Sequence, residues 1–200
     1  NLRDVVDNGN QEQAVGLASE ALDEVDVVSQ RERGVEIAAQ QVITNPSIDA
    51  DSQQLAGDVI QAISEAESAR KEFGQLMLGL ANGEFKQQAI LDTIDKVIET
   101  TKEVQSTASM FRRSEGATSL QPILVAFTRS STLELAKGTS GNSKITIRNA
   151  GGAAATDVSI SIMSSIDVSL NPTSFEKLGG GAVATTELQA PDNLSSGIYD

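Results

Sequence analysis

The sequence that decides the fold runs from Leu133 to Tyr199 and contains Lys144-Ile-Thr-Ile-Arg-Asn-Ala-Gly-Gly152 followed by Thr156-Asp-Val-Ser-Ile-Ser-Ile-Met163. In the second segment apolar residues alternate strictly with polar ones, which is typical of a strand with one buried face. Asn171-Pro-Thr-Ser-Phe175 then forms a corner, and Gly197-Ile-Tyr199 begins a last strand. Short strands separated by frequent turn residues predict an antiparallel β-sandwich.

This order of strands and turns resembles the small immunoglobulin-like (Ig-like) β-sandwiches of secreted and cell-surface proteins. The similarity is to the CARDB cell-adhesion-related type and to related modules beside glycosidase domains and in archaeal surface-layer-associated proteins. It covers residues 121–200 and is carried by the Asn-Ala-Gly strand end, the Pro-Thr-Ser-Phe corner and the Gly-Ile-Tyr entry. The resemblance implies an extracellular or cell-surface location.

In the resembled modules a full strand follows the Gly-x-Tyr entry, whereas only Asp200 follows here. The resemblance therefore implies a sandwich that lacks most of its last strand, with Gly197, Ile198 and Tyr199 as a strand-pairing edge for another chain. At the other end of the sequence, the apolar residues Leu2, Val5 and Val6 look like the continuation of a pattern that starts earlier. We expect a piece of a longer protein, whose membrane anchor lies outside it.

Composition narrows the classes of function. The chain has 200 residues and a net charge of -13, with no cysteine, histidine or tryptophan. The negative charge argues against nucleic acid as a partner, because binding phosphate needs clustered basic residues. The lack of histidine and cysteine removes the commonest general base, the commonest metal ligands and thiol chemistry. We expect no enzyme, no cofactor, no metal and no small-molecule substrate.

The same composition bears on the source. A secreted chain without cysteine indicates an archaeal or bacterial protein. The excess of acidic residues fits a halophilic surface and equally fits an ordinary acidic protein.

Acidic residues are distributed unevenly along the chain. Residues 1–116 contain 21 acidic and 10 basic residues, whereas residues 117–200 contain 7 and 5. Glycine and strand-forming residues concentrate in the second part. The sequence therefore predicts an α+β multidomain protein, with a helical domain at 1–116 and the sandwich at 117–200.

The first domain is predicted to contain three helices, at about 9–44, 50–81 and 84–113. Their apolar residues recur in steps of three and four, which indicates a coiled-coil seam, and the short connections indicate antiparallel neighbours. We expect an antiparallel three-helix coiled-coil bundle. The three series are Ala14, Ala18, Ala21, Val25, Val28, Val35, Ala39 and Val42; Leu55, Val59, Ala62, Ala66, Ala69, Phe73, Leu76 and Leu80; and Ile90, Ile94, Val97, Thr101, Val104, Ala108 and Phe111.

Glu32 is the polar member of the first series, and we expect it to pair across the bundle with Arg70 or Lys71. Asp49 or Asp51 can cap the second helix. Further apolar residues flank the seams and either widen the core of the bundle or contact a partner or a second copy. These are Leu17, Leu22, Ile37, Ile43, Ile63, Leu91 and Ile98.

No cluster of residues indicates a catalytic or metal site. The acidic clusters Asp23-Glu24-Val-Asp26 and Asp49-Ala-Asp51 lack the glycine-containing turn of a calcium loop and are interpreted as a solvated face and a helix cap. The Gly179-Gly-Gly181 run is interpreted as a hairpin turn. Asn193-Leu-Ser195 is a glycosylation sequon, so Asn193 is a candidate modified residue.

These observations favour a non-catalytic structural or adhesion protein of the cell surface or envelope, with a coiled-coil stalk and a sandwich that acts as an assembly module. Its partners would be other proteins or copies of itself. One alternative is an ectodomain fragment of a viral or cellular spike. A second alternative is an accessory region of a larger secreted carbohydrate-active enzyme.

Overall fold

The computed structural model describes residues 1–128, 133–135, 141–164, 167–191 and 197–199 and shows a protein of mixed helix and antiparallel sheet. The chain divides into two compact units, Asn1–Ala117 and Thr118–Asp200. The division falls beside Gly116, where the composition of the sequence changes. Within the described residues, no helix is long and apolar enough to cross a membrane.

The first unit is helical. Two of its long helices lie close to the predicted bounds, whereas the third has 25 residues and is shorter than predicted at both ends. A short helix precedes the three long ones and another follows them. The helices are α1 (Leu2–Asp7), α2 (Gln11–Thr44), α3 (Ala50–Ala81), α4 (Gln87–Phe111) and α5 (Glu115–Ser119).

Local side-chain chemistry sets the helix ends. The Asn10 side chain accepts a hydrogen bond from the backbone N–H of Gln13 at 3.1 Å and so caps α2. Asp49 does the same for α3 by accepting from the N–H of Ser52 at 2.7 Å, which confirms one of the two predicted caps. The helix predicted from residue 84 begins at Gln87 instead, and no side chain caps that end.

α3 packs against both α2 and α4, and α1 packs against α2 and α4. The relative direction of α2 and α3 follows from two side-chain contacts near Arg70. Glu32 of α2 pairs with Arg70, while Leu22 lies against Gly74, so α2 and α3 are antiparallel. Arg70 also bonds to Thr101 of α4, so a single residue of α3 touches both neighbours.

Alanine dominates the buried face of α3. Small side chains let helices approach closely but bury little apolar area, so the large residues of the face contribute most of the hydrophobic stabilisation. Met77 is buried in place of Leu76, which was assigned to the seam and is half-buried. The buried apolar residues of α3 are Ala56, Val59, Ala62, Ile63, Ala66, Ala69, Phe73, Met77 and Leu80.

The second unit is built from short antiparallel strands. Their bounds are β1 (Leu124–Thr128), β2 (Leu133–Leu135), β3 (Gly141–Asn149), β4 (Ala155–Ser159), β5 (Ser169–Asn171), β6 (Ser174–Leu178), β7 (Val183–Ala190) and β8 (Gly197–Tyr199). One sheet has the order β1-β3-β7-β5, and β2–β8 and β4–β6 form two-stranded ribbons.

The four-stranded sheet and the β4–β6 ribbon share one hydrophobic cluster. In the sheet, Ile147 of β3 pairs with Ala126 of β1 and with Ala184 of β7. Ile147 packs in the same cluster as Val158 and Leu178 of the ribbon. The apolar alternation of the sequence therefore places these residues on one inner face.

Two features of this unit differ from expectation. The strand predicted through Met163 ends at Ser159, and Met163 is fully exposed. The reason lies in its partner, because β6 begins at Ser174 and the preceding Pro172 has no N–H to continue the ladder. The interpretation of Gly179–Gly181 as a hairpin is wrong, since the turn joins β6 and β7, which belong to different sheets.

Asn149, at the end of β3, is fully buried and binds four backbone groups through its side chain. Its Oδ1 accepts from the N–H groups of Ile123 and Gly151, both at 3.1 Å. Its Nδ2 donates to the carbonyl oxygens of Ala153 at 2.7 Å and Leu178 at 3.0 Å. One side chain therefore fixes the segments before β1, after β3 and at the end of β6.

The glycines that follow Asn149 allow these segments to approach closely. A Cβ atom on Gly151 would overlap the carbonyl oxygen of Gln121, and a Cβ on Gly152 would overlap that of Thr118. The Asn-Ala-Gly-Gly sequence thus supplies both the hydrogen-bonding side chain and the space around it.

Candidate functional site

A buried ion pair crosses the helical unit between α2 and α3. Glu32 and Arg70 form two parallel hydrogen bonds, each 2.6 Å long, and their side chains are 10% and 4% exposed. Arg70 also donates to the hydroxyls of Ser29 at 3.2 Å and Thr101 at 3.4 Å. The prediction that Glu32 pairs across the bundle is confirmed, with Arg70 rather than Lys71 as its partner.

This polar layer is costly to bury and is compensated by its geometry. Taking two charges out of water is unfavourable unless they pair closely and their remaining groups are hydrogen-bonded. Most donors of Arg70 are satisfied in this way. The exception is Arg70 Nε, which is buried and has no hydrogen-bond partner among the residues that the structure describes.

An open groove adjoins the polar layer and lies between α2 and α4, with α3 as its floor. It encloses about 340 Å³. Its walls are mainly apolar, although Glu24 of α2 is part of them, and Phe73 of α3 and Leu2 of α1 also line it. The groove therefore begins at the first turn of α1 and ends at Arg70 and Thr101. The apolar wall residues are Ala21, Val25 and Val28 of α2 and Ile94, Val97 and Ile98 of α4.

The groove explains why the predicted seams of α2 and α4 are only half-buried over part of their length. Val25 and Val28 of α2, like Ile94 and Val97 of α4, sit at seam positions but retain solvent contact. Beyond the polar layer the seam closes, and Val35 and Val104 are 4% and 2% exposed. Sequence spacing alone predicts equal burial along the whole seam, so the groove was missed.

The short helix α1 fills the other end of the groove. Its Val6 is fully buried in the cluster that contains Phe73 and Met77. Arg3 holds α1 against α4 through two hydrogen bonds to Asp95, from Nε at 2.9 Å and from Nη2 at 3.0 Å. The spacing of Leu2, Val5 and Val6 is the signal that could have predicted this helix.

The contact between Arg3 and Asp95 shifts the pKa of both side chains. Hydrogen bonds from Arg3, together with its charge, hold the pKa of the Asp95 carboxyl below its usual range. The Asp95 carboxylate likewise raises the pKa of Arg3. The folded-state pKa of Asp95 is depressed, so the stabilisation that the pair gives α1 is fully present above the unfolded pKa of aspartate, about 3.9. This stabilisation is lost as the pH falls through the lower pKa that Asp95 has in the folded protein.

We therefore expect Asp95→Asn to increase hydrogen exchange at the α1 amides at neutral pH and to remove the acid-dependent part of that exchange. Native-state exchange followed by NMR at Val5 and Val6 measures both effects. Asp92→Asn is the matched control. Like Asp95, Asp92 is an exposed aspartate of α4, but it accepts a hydrogen bond from Gln88 and not from α1. Equal exchange in the two variants would contradict this role of Asp95.

The other residues singled out in the sequence do not form one site. Asn193 lies outside the described residues. Gly197, Ile198 and Tyr199 form β8, and they pair with Leu135, Glu134 and Leu133 of β2 respectively. One side of this predicted strand-pairing edge is thus occupied within the chain, and pairing with another chain on its other side stays a prediction.

The acidic clusters are solvent-facing in the structure. Asp23, Glu24 and Asp26 are exposed on α2, and Asp49 and Asp51 are exposed at the start of α3. In the part of the chain that the structure describes, no group of three or more acidic side chains is arranged to hold a metal ion.

Comparison with known proteins gives no relative. No protein-family model, no curated protein and no solved structure matches this chain.

Proposed function

We propose that this chain is a non-catalytic structural or adhesion component of a cell surface or envelope. The helical unit is a stalk of coiled-coil type, and the β unit is an Ig-like module that mediates assembly or adhesion. The proposal depends chiefly on one observation: a buried, bidentate ion pair joins two long helices, α2 and α3, and its arginine also hydrogen-bonds to the third, α4. Such a pair favours one helix register and so suits a rigid spacer.

The dimensions of the helices agree with a spacer. α2 has 34 residues and α3 has 32. At 1.5 Å per residue, α2 is about 50 Å long, which exceeds the diameter of many small domains. An element of this length separates the groups at its two ends by a fixed distance.

The β unit supports the second half of the proposal. Its four-stranded antiparallel sheet and the β4–β6 ribbon share a cluster containing Ile147, Val158 and Leu178, as expected for two layers of a sandwich. The resemblance of residues 121–200 to CARDB-type modules then gives the module its proposed location and role. Its partners are other proteins or copies of the same chain.

The location can be tested with a single introduced thiol, because the chain has no cysteine. Met163 is fully exposed, whereas Ala66 is fully buried. In intact cells of the source organism, a membrane-impermeant maleimide should label Met163→Cys, and lysis should not increase the labelling. Ala66→Cys is the matched control and should stay unlabelled while the helical unit is folded.

Labelling of Met163→Cys only after lysis would overturn the surface location. Recovery of the labelled chain in the medium, bound to a carbohydrate-active enzyme, would instead support the accessory-region alternative. Both results are read after the chain has been immunoprecipitated, so that other cellular thiols do not contribute.

A further inference from the structure

We propose that the groove between α2 and α4 binds an amphipathic helix of a partner protein, with apolar side chains on one face and basic residues along its flanks. This inference goes beyond the proposed function, because it depends on the shape and charge of the helical unit and would hold wherever the chain acts.

The groove lies where a fourth long helix would pack against α2, α3 and α4. α2 and α4 are both antiparallel to α3 and form the walls, while α3 forms the floor. α1 already occupies one end in this manner, with Val6 fully buried between its neighbours. The open part continues directly from α1, since Leu2 and Arg3 line it.

The size of the groove sets the length of the occupant. Its open part runs from Ala21 to Val28 along α2, which is about 10 Å or two helical turns. A volume of about 340 Å³ holds a few large apolar side chains. A helix presents such side chains on one face at spacings of three and four residues, as Leu2, Val5 and Val6 do in α1.

Charge identifies the kind of helix. Residues 1–116 carry 21 acidic and 10 basic residues, so a second copy would bring like charge to the groove. Glu24 lines the groove, is exposed, and forms no hydrogen bond or ion pair within the described residues. Arg3 and Arg70 also line the groove, but each is already paired with a carboxylate within the helical unit. The Glu24 carboxylate is therefore the group that would hold a basic side chain of a bound helix.

The inner end of the groove favours a hydrogen-bond acceptor on the bound helix. It is formed by Arg70 and Thr101, and Arg70 Nε has no hydrogen-bond partner among the described residues. A helix that places a Gln or Ser oxygen at this end would satisfy that donor. The best occupant is therefore apolar, flanked by Lys or Arg, with one such acceptor.

The test uses the full chain and a fluorescein-labelled peptide made of three Leu-Arg-Lys-Val-Val-Gln-Lys repeats, which copies the apolar spacing of α1. Fluorescence anisotropy should show saturable one-to-one binding at physiological salt. Ile98→Asp should weaken it at least about tenfold, since Ile98 is 44% exposed on the groove wall. Leu78→Asp should leave it unchanged, because Leu78 is 63% exposed on α3 outside the groove.

A peptide in which Ser replaces every Leu and Val keeps the basic residues and should not bind. Far-ultraviolet circular dichroism first establishes that both variants of the chain have wild-type helix content. The proposal is overturned if the peptide shows no saturable binding or if the two variants weaken it equally. It is also overturned if sedimentation shows a dimer of the chain that Ile98→Asp abolishes, since a second copy would then fill the groove.

Discussion

Arg70→Met should destabilise the helical unit by about 3–5 kcal/mol, because it leaves the Glu32 carboxylate buried without its partner. The pair has 2.6 Å hydrogen bonds and is almost wholly removed from water, so solvent cannot replace the lost guanidinium. Urea unfolding followed by ellipticity at 222 nm reports this change, since the long helices dominate the signal.

The double variant Glu32→Leu/Arg70→Met separates the cost of an orphaned charge from the value of the pair. It should recover most of the lost stability, since it replaces both charges with apolar groups of similar size. Lys71→Met is the control, because Lys71 is an exposed basic residue beside Arg70 and should change stability by less than about 0.5 kcal/mol. A single Arg70→Met variant as stable as the wild type would show that the pair is not closed in solution.

Asn149→Leu should unfold the β unit or destabilise it by about 3 kcal/mol or more. Leucine has a similar volume but leaves two N–H groups and two carbonyl groups without their partner, and each buried unsatisfied group costs about 1–3 kcal/mol. These four bonds are 2.7–3.1 Å long and join three separate segments of the unit. Urea unfolding followed by the NMR signals of Ile147 and Val158, two buried residues of this unit, measures the change.

Asn142→Leu is the matched control for that experiment. Asn142 lies on the same strand, β3, and is exposed. The substitution removes the same functional groups at a position that solvent reaches, so the midpoint of unfolding should hardly move. If the two variants unfolded at the same denaturant concentration, Asn149 would not be the residue that fixes these segments.

Local chemistry made much of the helical unit predictable. Asp49 and the Asn45-Pro46 sequence mark the ends of α3 and α2 because capping and proline act within a few residues. Glu32 was identifiable because a charged residue in an apolar series needs an opposite charge across the interface. The groove was not predictable, since equal spacing along a seam carries no information on which of its residues stay half-exposed.

The β unit shows a different limit of sequence reasoning. Alternation correctly placed Ile147 and Val158 on an inner face, because side-chain direction depends only on the strand itself. The end of β4 at Ser159 depends on its partner, which turns at Pro172 far along the chain. The role of Asn149 could be recognised only once the structure brought Ile123 and Leu178 to its side chain.

The change from open groove to closed packing at Arg70 has a consequence for motion within the helical unit. On the closed side, Val35, Val104 and Phe111 are at most 4% exposed, whereas Val25, Val28 and Val97 on the open side retain solvent contact. Regions with fewer buried contacts open at lower free energy than the rest of a protein. The walls of the groove on α2 and α4 should therefore exchange their amide hydrogens faster than the closed packing on either side of them, at Val35 and Val104 and around Val6.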